Sequence, residues 1–269
     1  MIKRCIFDFS GTIADKYSLV GKLSLQDAFL LRNIKLSSDI LNKNIEYGVN
    51  LDNIFQDEIV SKQYRENFNK HPLENDQNKI LKDLVEIQKI NADNYCEIIP
   101  NTLRCFRELK KNDINIDILT RFNIDLTKEL LFKFNLDVDN TYTYNNPNIN
   151  LTNFVIDNNL NKINCLKISD NRRGIQEGIE SGCWTVGVAR WSQYMDVHTR
   201  NEANIMDRLI HAESCSENYH LLKHKLNLTT NKLNSIKPHY VIKTLGELPE
   251  IIDKINFKIK KMNNNNNSY

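Results

Sequence analysis

The chain has 269 residues, of which 41% are apolar and 26% charged, with 36 basic against 34 acidic side chains for a net charge of +2. That is enough for one large domain, or a core domain carrying a smaller insertion, with a core that needs no disulfide or metal staple. The near-neutral balance excludes a strongly basic nucleic-acid arm and an acidic tail, and no run approaches the roughly 18 apolar residues of a membrane span, so neither nucleic acid nor a membrane is an expected partner. The opening MIKRCIFDFSGT puts Asp8 inside its only apolar stretch, which argues against a cleaved signal peptide. The six cysteines, Cys5, Cys96, Cys105, Cys165, Cys183 and Cys215, form no CxxC pair and have no histidine at metal-ligand spacing. They read as free thiols of a reducing compartment, and a cytoplasmic location is the expectation.

In chain order, IKRCIFDF (2–9) predicts a buried strand ending at Asp8, followed by the turn SGT. From Tyr17 to about Tyr95 there is no strand pattern. LSLQDAFLLRN, LDNIFQDEIVSKQYRENF and DQNKILKDLVEIQKI carry apolar residues at three- and four-residue spacing, which predicts amphipathic helices, the last two joined across KHPLEND. After Pro100 the pattern alternates. Helix TLRCFRELKK precedes strand NIDILT (115–120), helix LTKELLFKF precedes strand TYTY (141–144), and helix LTNFVIDNN precedes strand CLKIS (165–169). Helix GIQEGIESG, strand WTVGVA (184–189), a long helical stretch over 201–226, strand HYVI (239–242) and helix LGELPEIIDKI complete the chain. Alternation predicts βαβ units, a parallel sheet and right-handed crossovers. The expected organisation is a Rossmann-like three-layer α/β/α core from 1–15 and 98–262, with an all-helical insertion over 16–97. The Asn-rich stretch 263–269 has nothing to bury and is expected to be disordered.

In an open parallel sheet, ligands bind at the carboxyl ends of the strands. Asp8, Thr120 and Asp170 fall at three such ends. An aspartate there can equally be a turn former or a helix cap. With Asp8, however, comes DFSGT, in which Gly11 permits a tight turn, Thr12 offers a hydroxyl, and backbone N–H groups can form a nest for an anion. A carboxylate beside such a nest can attack phosphorus if a divalent ion offsets the repulsion.

FDFSGTIAD, ILT and ISDN in this order and context resemble the first, second and fourth motifs of the haloacid dehalogenase superfamily. The resemblance implies Asp8 as nucleophile, Thr120 as the hydroxyl holding a phosphoryl oxygen, and Asp170 as a magnesium ligand. It also implies that the helical insertion is that superfamily's first-type (C1) cap. Within the superfamily, the stretch YRENFNKHPLENDQNKILKDLVEIQ, the segment GIESGCWTVGVA and the C-terminal KPHYVIKTLGELPEII resemble the phosphonoacetaldehyde hydrolase family. Shared with that family is the lack of a second aspartate two residues after the nucleophile, where this chain has Ser10.

Other positions depart from the family. Its cap lysine, which forms a Schiff base with the aldehyde, should follow Gly48, but Val49, Asn50 and Leu51 stand there and no lysine occurs until Lys62. Lys43 is the nearest upstream alternative. Its motif-three cation before a proline is Asn146 before Pro147, and its second motif-four acid is Gly174. Three arginines are new: Arg121, directly after Thr120, and the pair Arg172–Arg173, which reads otherwise as a solvated helix start.

The expected site is therefore Asp8 and Thr120 for catalysis, Gly11, Thr12, Thr120 and Arg121 around a phosphate, and Asp8, the Ser10 carbonyl and Asp170 around magnesium. The expected function is magnesium-dependent phosphoryl or phosphonate hydrolysis of altered chemistry on a small phosphorylated molecule. Related proteins dimerise through the cap, so the resemblance also implies a homodimer. The second reading is a catalytically inactive relative that binds an anion or a partner protein.

Overall fold

The computed structural model describes residues 1–143, 151–211 and 219–266. Asn146, Pro147 and Cys215 lie outside the described residues. Six strands form one sheet: β1 (Arg4–Asp8), β2 (Asn115–Thr120), β3 (Asn140–Thr143), β4 (Cys165–Ser169), β5 (Trp184–Val188) and β6 (Tyr240–Ile242). Their order is β3-β2-β1-β4-β5-β6 and every pairing is parallel. β1 is central, and the chain moves outward on one side through β2 and on the other from β4. The crevice where this order reverses is where open α/β sheets bind ligands.

Central parallel strands are covered on both faces, so they are apolar throughout rather than alternating. Cys5 and Phe7 of β1 join the cluster on one face with Phe106, Leu130 and Ile255, whereas Ile6 joins Phe154 and Val155 on the other. The first face carries α6 (Thr102–Lys111), α7 (Ile124–Lys133) and α12 (Leu248–Asn266). The second carries α8 (Leu151–Asp157), α9 (Arg172–Glu180), α10 (Arg200–His211) and α11 (Tyr219–Asn234). The result is an α/β/α three-layer core.

Between β1 and α6 lie α1 (Leu19–Leu30), α2 (Ser38–Tyr47), α3 (Leu51–Gln56), α4 (Glu58–Phe68) and α5 (Glu74–Tyr95). They enclose a core of their own, with Leu25, Phe29, Ile54, Phe55, Tyr64 and Ile80 all buried. Two strands of chain join this block to the sheet side by side. Ile99 N donates to Ile13 O at 2.9 Å and Asp15 N to Glu97 O at 2.9 Å. The outgoing strand is backbone-strained: Asp15, Tyr17 and Ser18 have φ of 52°, 62° and 52°, a region costly for residues with a Cβ. It is held there by Tyr17 N on Trp191 O at 2.8 Å and by Lys16 Nζ on Asp207 Oδ2 at 2.6 Å.

Several expectations are corrected. The helix expected over 51–68 breaks at Asp57, whose carboxylate instead caps α4 by accepting from Ile59 N and Val60 N, both at 3.1 Å. The helix α2 is an addition to the expected ones, with a Ser37 cap on Ile40 N and Leu41 buried. Tyr144 of the expected third strand lies outside the described residues. Within the stretch expected to be helical over 201–226, α10 covers the part up to His211 and α11 the part from Tyr219, and 212–218 lie outside the described residues. α12 runs through Asn263 to Asn266, continuing a helix that carries buried Ile251, Ile252, Ile255 and Ile259, and 267–269 of the expected tail lie outside the described residues. The described cysteines, all but Cys215, are buried free thiols. No helix among the described residues is long and apolar enough to cross a membrane.

Candidate functional site

Asp8, Thr120 and Asp170 meet at the carboxyl edge of the sheet, at or just past the ends of β1, β2 and β4. Asp8 is buried, and the Lys167 ammonium donates to its Oδ1. Lys167 sits in the middle of β4 and is itself fully buried. Sequence reasoning found no cation for this carboxylate, yet a signal was present. CLKIS has apolar neighbours on both sides of its lysine, and a lysine in a doubly covered strand needs a buried counter-charge.

Thr120 Oγ1 accepts from Phe122 N at 3.1 Å and lies 3.0 Å from Thr127 Oγ1, which is also 3.0 Å from Asn123 O. Asp170 is fully buried. Its Oδ2 accepts from Gln193 N at 2.9 Å, its Oδ1 from Asn171 Nδ2 at 3.1 Å, and its backbone carbonyl from Ser192 Oγ at 2.7 Å. Burial pushes its carboxyl up to about 7, with the Asp8 charge adding to the rise and the Gln193 N–H opposing it.

Two glycines are required by close approach. At Gly11 (φ +70°) a Cβ would lie 2.5 Å from Asp170 Cγ, so only glycine lets the turn after β1 lie on that carboxylate. At Gly174 a Cβ would collide with Asp8 Oδ2 and lie 2.8 Å from Ser169 Cβ. The position where a second acid was sought is therefore one where the first turn of α9 touches the Asp8 carboxylate. Asn171 holds that turn through Gly174 N, donating to its Oδ1 at 2.9 Å.

A cleft of about 560 Å³ lies between the sheet edge and the helical block. Asp8, Ser10 and Arg121 line it; Gly11, Thr12, Thr120 and Asp170 are buried behind it. The Thr12 hydroxyl is buried without a hydrogen-bond partner. Asp15 also lines the cleft. Its Oδ1 accepts from Val20 N at 2.8 Å, its buried Oδ2 has no hydrogen-bond partner, and burial pushes it up to about 7.

Arg173, rather than merely opening α9 in solvent, lines the cleft and clasps the helical block. Its Nη1 donates to Tyr47 O at 2.5 Å and its Nε to Glu177 Oε1 at 2.9 Å. Tyr194 adds a second tie, donating to Glu46 Oε1 at 2.7 Å while accepting from Arg172 N at 2.9 Å. Lys43 and Lys62 are exposed and line no part of the cleft, and Leu51 is packed into the block's own core. The other deeply buried lysine, Lys22 of α1, donates to Val197 O at 2.9 Å and Gln193 O at 3.3 Å, and burial lowers it to about 8.

A six-stranded parallel sheet with an aspartate closing its first strand, a helical insertion directly after it, and a threonine and a second aspartate at neighbouring strand ends defines the haloacid dehalogenase superfamily fold. No family model matches the sequence. Along nearly its whole length, however, the sequence is phosphonoacetaldehyde hydrolase-like. It is 22% identical to the phosphonoacetaldehyde hydrolase of Syntrophobacter fumaroxidans over 95% of this chain and 92% of that one. Among solved structures, a phosphonoacetaldehyde hydrolase like protein from Oleispira antarctica superposes with a TM-score of 0.80 at 17% identity, covering 97% of this chain and 94% of that one. A predicted phosphoglycolate phosphatase from Haemophilus somnus superposes with a TM-score of 0.64 at 15% identity, covering 93% and 98%.

Proposed function

We propose that the protein is a magnesium-dependent phosphoryl hydrolase in which Asp8 attacks phosphorus and the helical block over 16–97 serves as a cap. The observation that carries this reading is the Asp8 carboxylate lining the cleft with the buried Lys167 ammonium against it. A fixed cation there offsets charge as an anionic substrate arrives. The Thr120 hydroxyl donates to a phosphoryl oxygen, with the Gly11–Thr12 turn behind the same end of the cleft and Arg121 lining it.

The residues fit magnesium by their chemistry. Asp8, the Ser10 carbonyl and Asp170 form an all-oxygen donor set, and Gly11 leaves no side chain over Asp170. No cluster of three metal-binding side chains occurs among the described residues, so the ion would keep several waters, as magnesium commonly does. When bound, it would offset the charge of the phosphoryl oxygens as a Lewis acid.

The phosphonoacetaldehyde hydrolysis named for the relatives is not carried over, because no lysine among the described residues lines the cleft to form an iminium with an aldehyde. A phosphate ester needs a proton for its leaving oxygen, and Ser10 cannot supply one. Asp15, on the cleft wall and held near half-protonation at neutral pH, is the acid that can. The substrate is a small phosphorylated molecule, and a homodimer through the cap accompanies this reading.

The test is phosphate release from a panel of phosphate monoesters and phosphonoacetaldehyde, with and without magnesium. Turnover that needs the ion and is lost in Asp8→Asn is expected. Equal silence of wild type and variant would instead leave the non-catalytic, anion- or protein-binding reading.

A further inference from the structure

The cleft of about 560 Å³ falls in the range of pockets that enclose whole drug-sized molecules, roughly 300–1,000 Å³. A phosphoryl group carrying two carbons would leave most of it to water. Its charged walls, Asp8, Asp15, Arg121 and Arg173, all belong to the sheet edge and its loops. The roof, built from α2, α5 and the segment between α2 and α3, contributes no charge. Its polar side-chain groups are the amides of Asn44, Asn50 and Gln88 and the Tyr47 phenol.

The rest of that roof is apolar. α5 presents Leu81, Leu84 and Val85 to the cleft, on a side next to the one that sends Ile80 into the block's own core. Leu81 is 41% exposed and Val85 55% exposed, and Val49, also in the roof, is 36% exposed. These side chains add little to the packing of the fold, yet they converge on one cavity. Apolar surface left wet in a pocket gains free energy when a ligand covers it.

We infer that the substrate is a phosphate monoester, or the matching phosphonate, whose organic part is an extended, uncharged alkyl or aryl group lying against Val49, Leu81 and Val85. This rests on the reading of Asp8 and its neighbours as a phosphoryl-binding centre. It adds that the discriminating contacts are apolar and come from the cap, whose own lining side chains carry no charge.

The test is calorimetric titration of the full chain, with magnesium present, by inorganic phosphate, methylphosphonate and straight-chain alkylphosphonates up to octyl. Affinity is expected to climb by about fourfold for each of the first added methylenes, the value of covering one CH₂. Val85→Ser and Leu81→Ser change solvent-facing positions of α5, and each is expected to flatten that climb. Binding of phosphate and methylphosphonate with no gain from chain length overturns the inference and leaves the phosphoryl reading standing. So does a full climb retained in both serine variants. Failure of phosphate and of every phosphonate to bind overturns both.

Discussion

Lys167 and Asp8, 159 residues apart in the chain, are joined by an ion pair whose ammonium is wholly buried and whose carboxylate is nearly so. Removing one partner of such a pair leaves an uncompensated charge in the interior, typically at a cost of about 3–5 kcal/mol. Lys167→Met is therefore expected to lower stability by that order in urea unfolding. Adding Asp8→Asn to it is expected to recover a large part of the loss, because the orphaned charge is then gone. Activity is expected to fall about 10²–10³-fold in Lys167→Met, the usual effect of deleting one fixed electrostatic contact. A single variant with wild-type stability would show that the pair holds no buried charge in place.

Gly174 sets a second test, in which two effects oppose each other. Replacing a helical glycine with alanine gains about 1 kcal/mol from backbone propensity. Here the new Cβ would strike Asp8 Oδ2 and approach Ser169 Cβ to 2.8 Å, and overpacking of this kind costs about 1–3 kcal/mol. The collision is expected to win, so Gly174→Ala should be less stable than wild type and Gly174→Asp less stable still. Installing an acid at this position would thus displace the Asp8 carboxylate instead of building a richer metal site. Melting temperatures of the two variants, with phosphate release as a second readout, decide it.

The clasp between the helical block and the core predicts a local effect on opening. Tyr194 bonds Glu46 in α2 and receives Arg172 N, while Arg173 holds the Tyr47 carbonyl at the end of the same helix. Tyr194→Phe removes both bonds made by the hydroxyl with little change in volume. Amide hydrogen exchange over 38–50 is expected to speed up several-fold in this variant, with exchange in β1 and β4 unchanged, as local opening requires. Uniform acceleration across the sheet would instead mean that the hydroxyl supports global stability.

These sites differ in how far the sequence discloses them. Asp8, Thr120 and Asp170 are legible because each ends an apolar run, and strand ends converge in a parallel sheet whatever the loop lengths. Gly11 is legible from its turn. Lys167 is not found by motif, because its partner lies in another strand and its apolar neighbours demand a buried counter-charge only once β4 is known to be covered on both faces. Asp15 is hidden for a related reason. Next to a turn it reads as a loop residue, and only the packing of the strained 15–18 segment buries it. The reach of Arg173 to α2 depends on how the helical block sits on the core, which no local pattern encodes.

Asp15 carries the last prediction. Its carboxyl titrates near 7 in the folded protein against an ordinary value of 3.8, because burial disfavours the charged form. From about pH 4 to 7 the unfolded chain has lost this proton and the folded chain keeps it, so stability must fall as pH rises through that window. Above about 7 the loss is complete, on the order of a few kcal/mol. Asn at this position keeps the Oδ1 that accepts from Val20 N but cannot ionise. Asp15→Asn is therefore expected to match wild type near pH 4 in urea unfolding and to exceed it at pH 8. If the same proton serves the leaving oxygen, the variant should hydrolyse alkyl phosphates poorly while retaining most of its rate on p-nitrophenyl phosphate, whose leaving group departs without protonation. A stability gain with equal rates on both substrates would make Asp15 a purely structural acid. Loss on both would place it in the binding of the phosphoryl group itself.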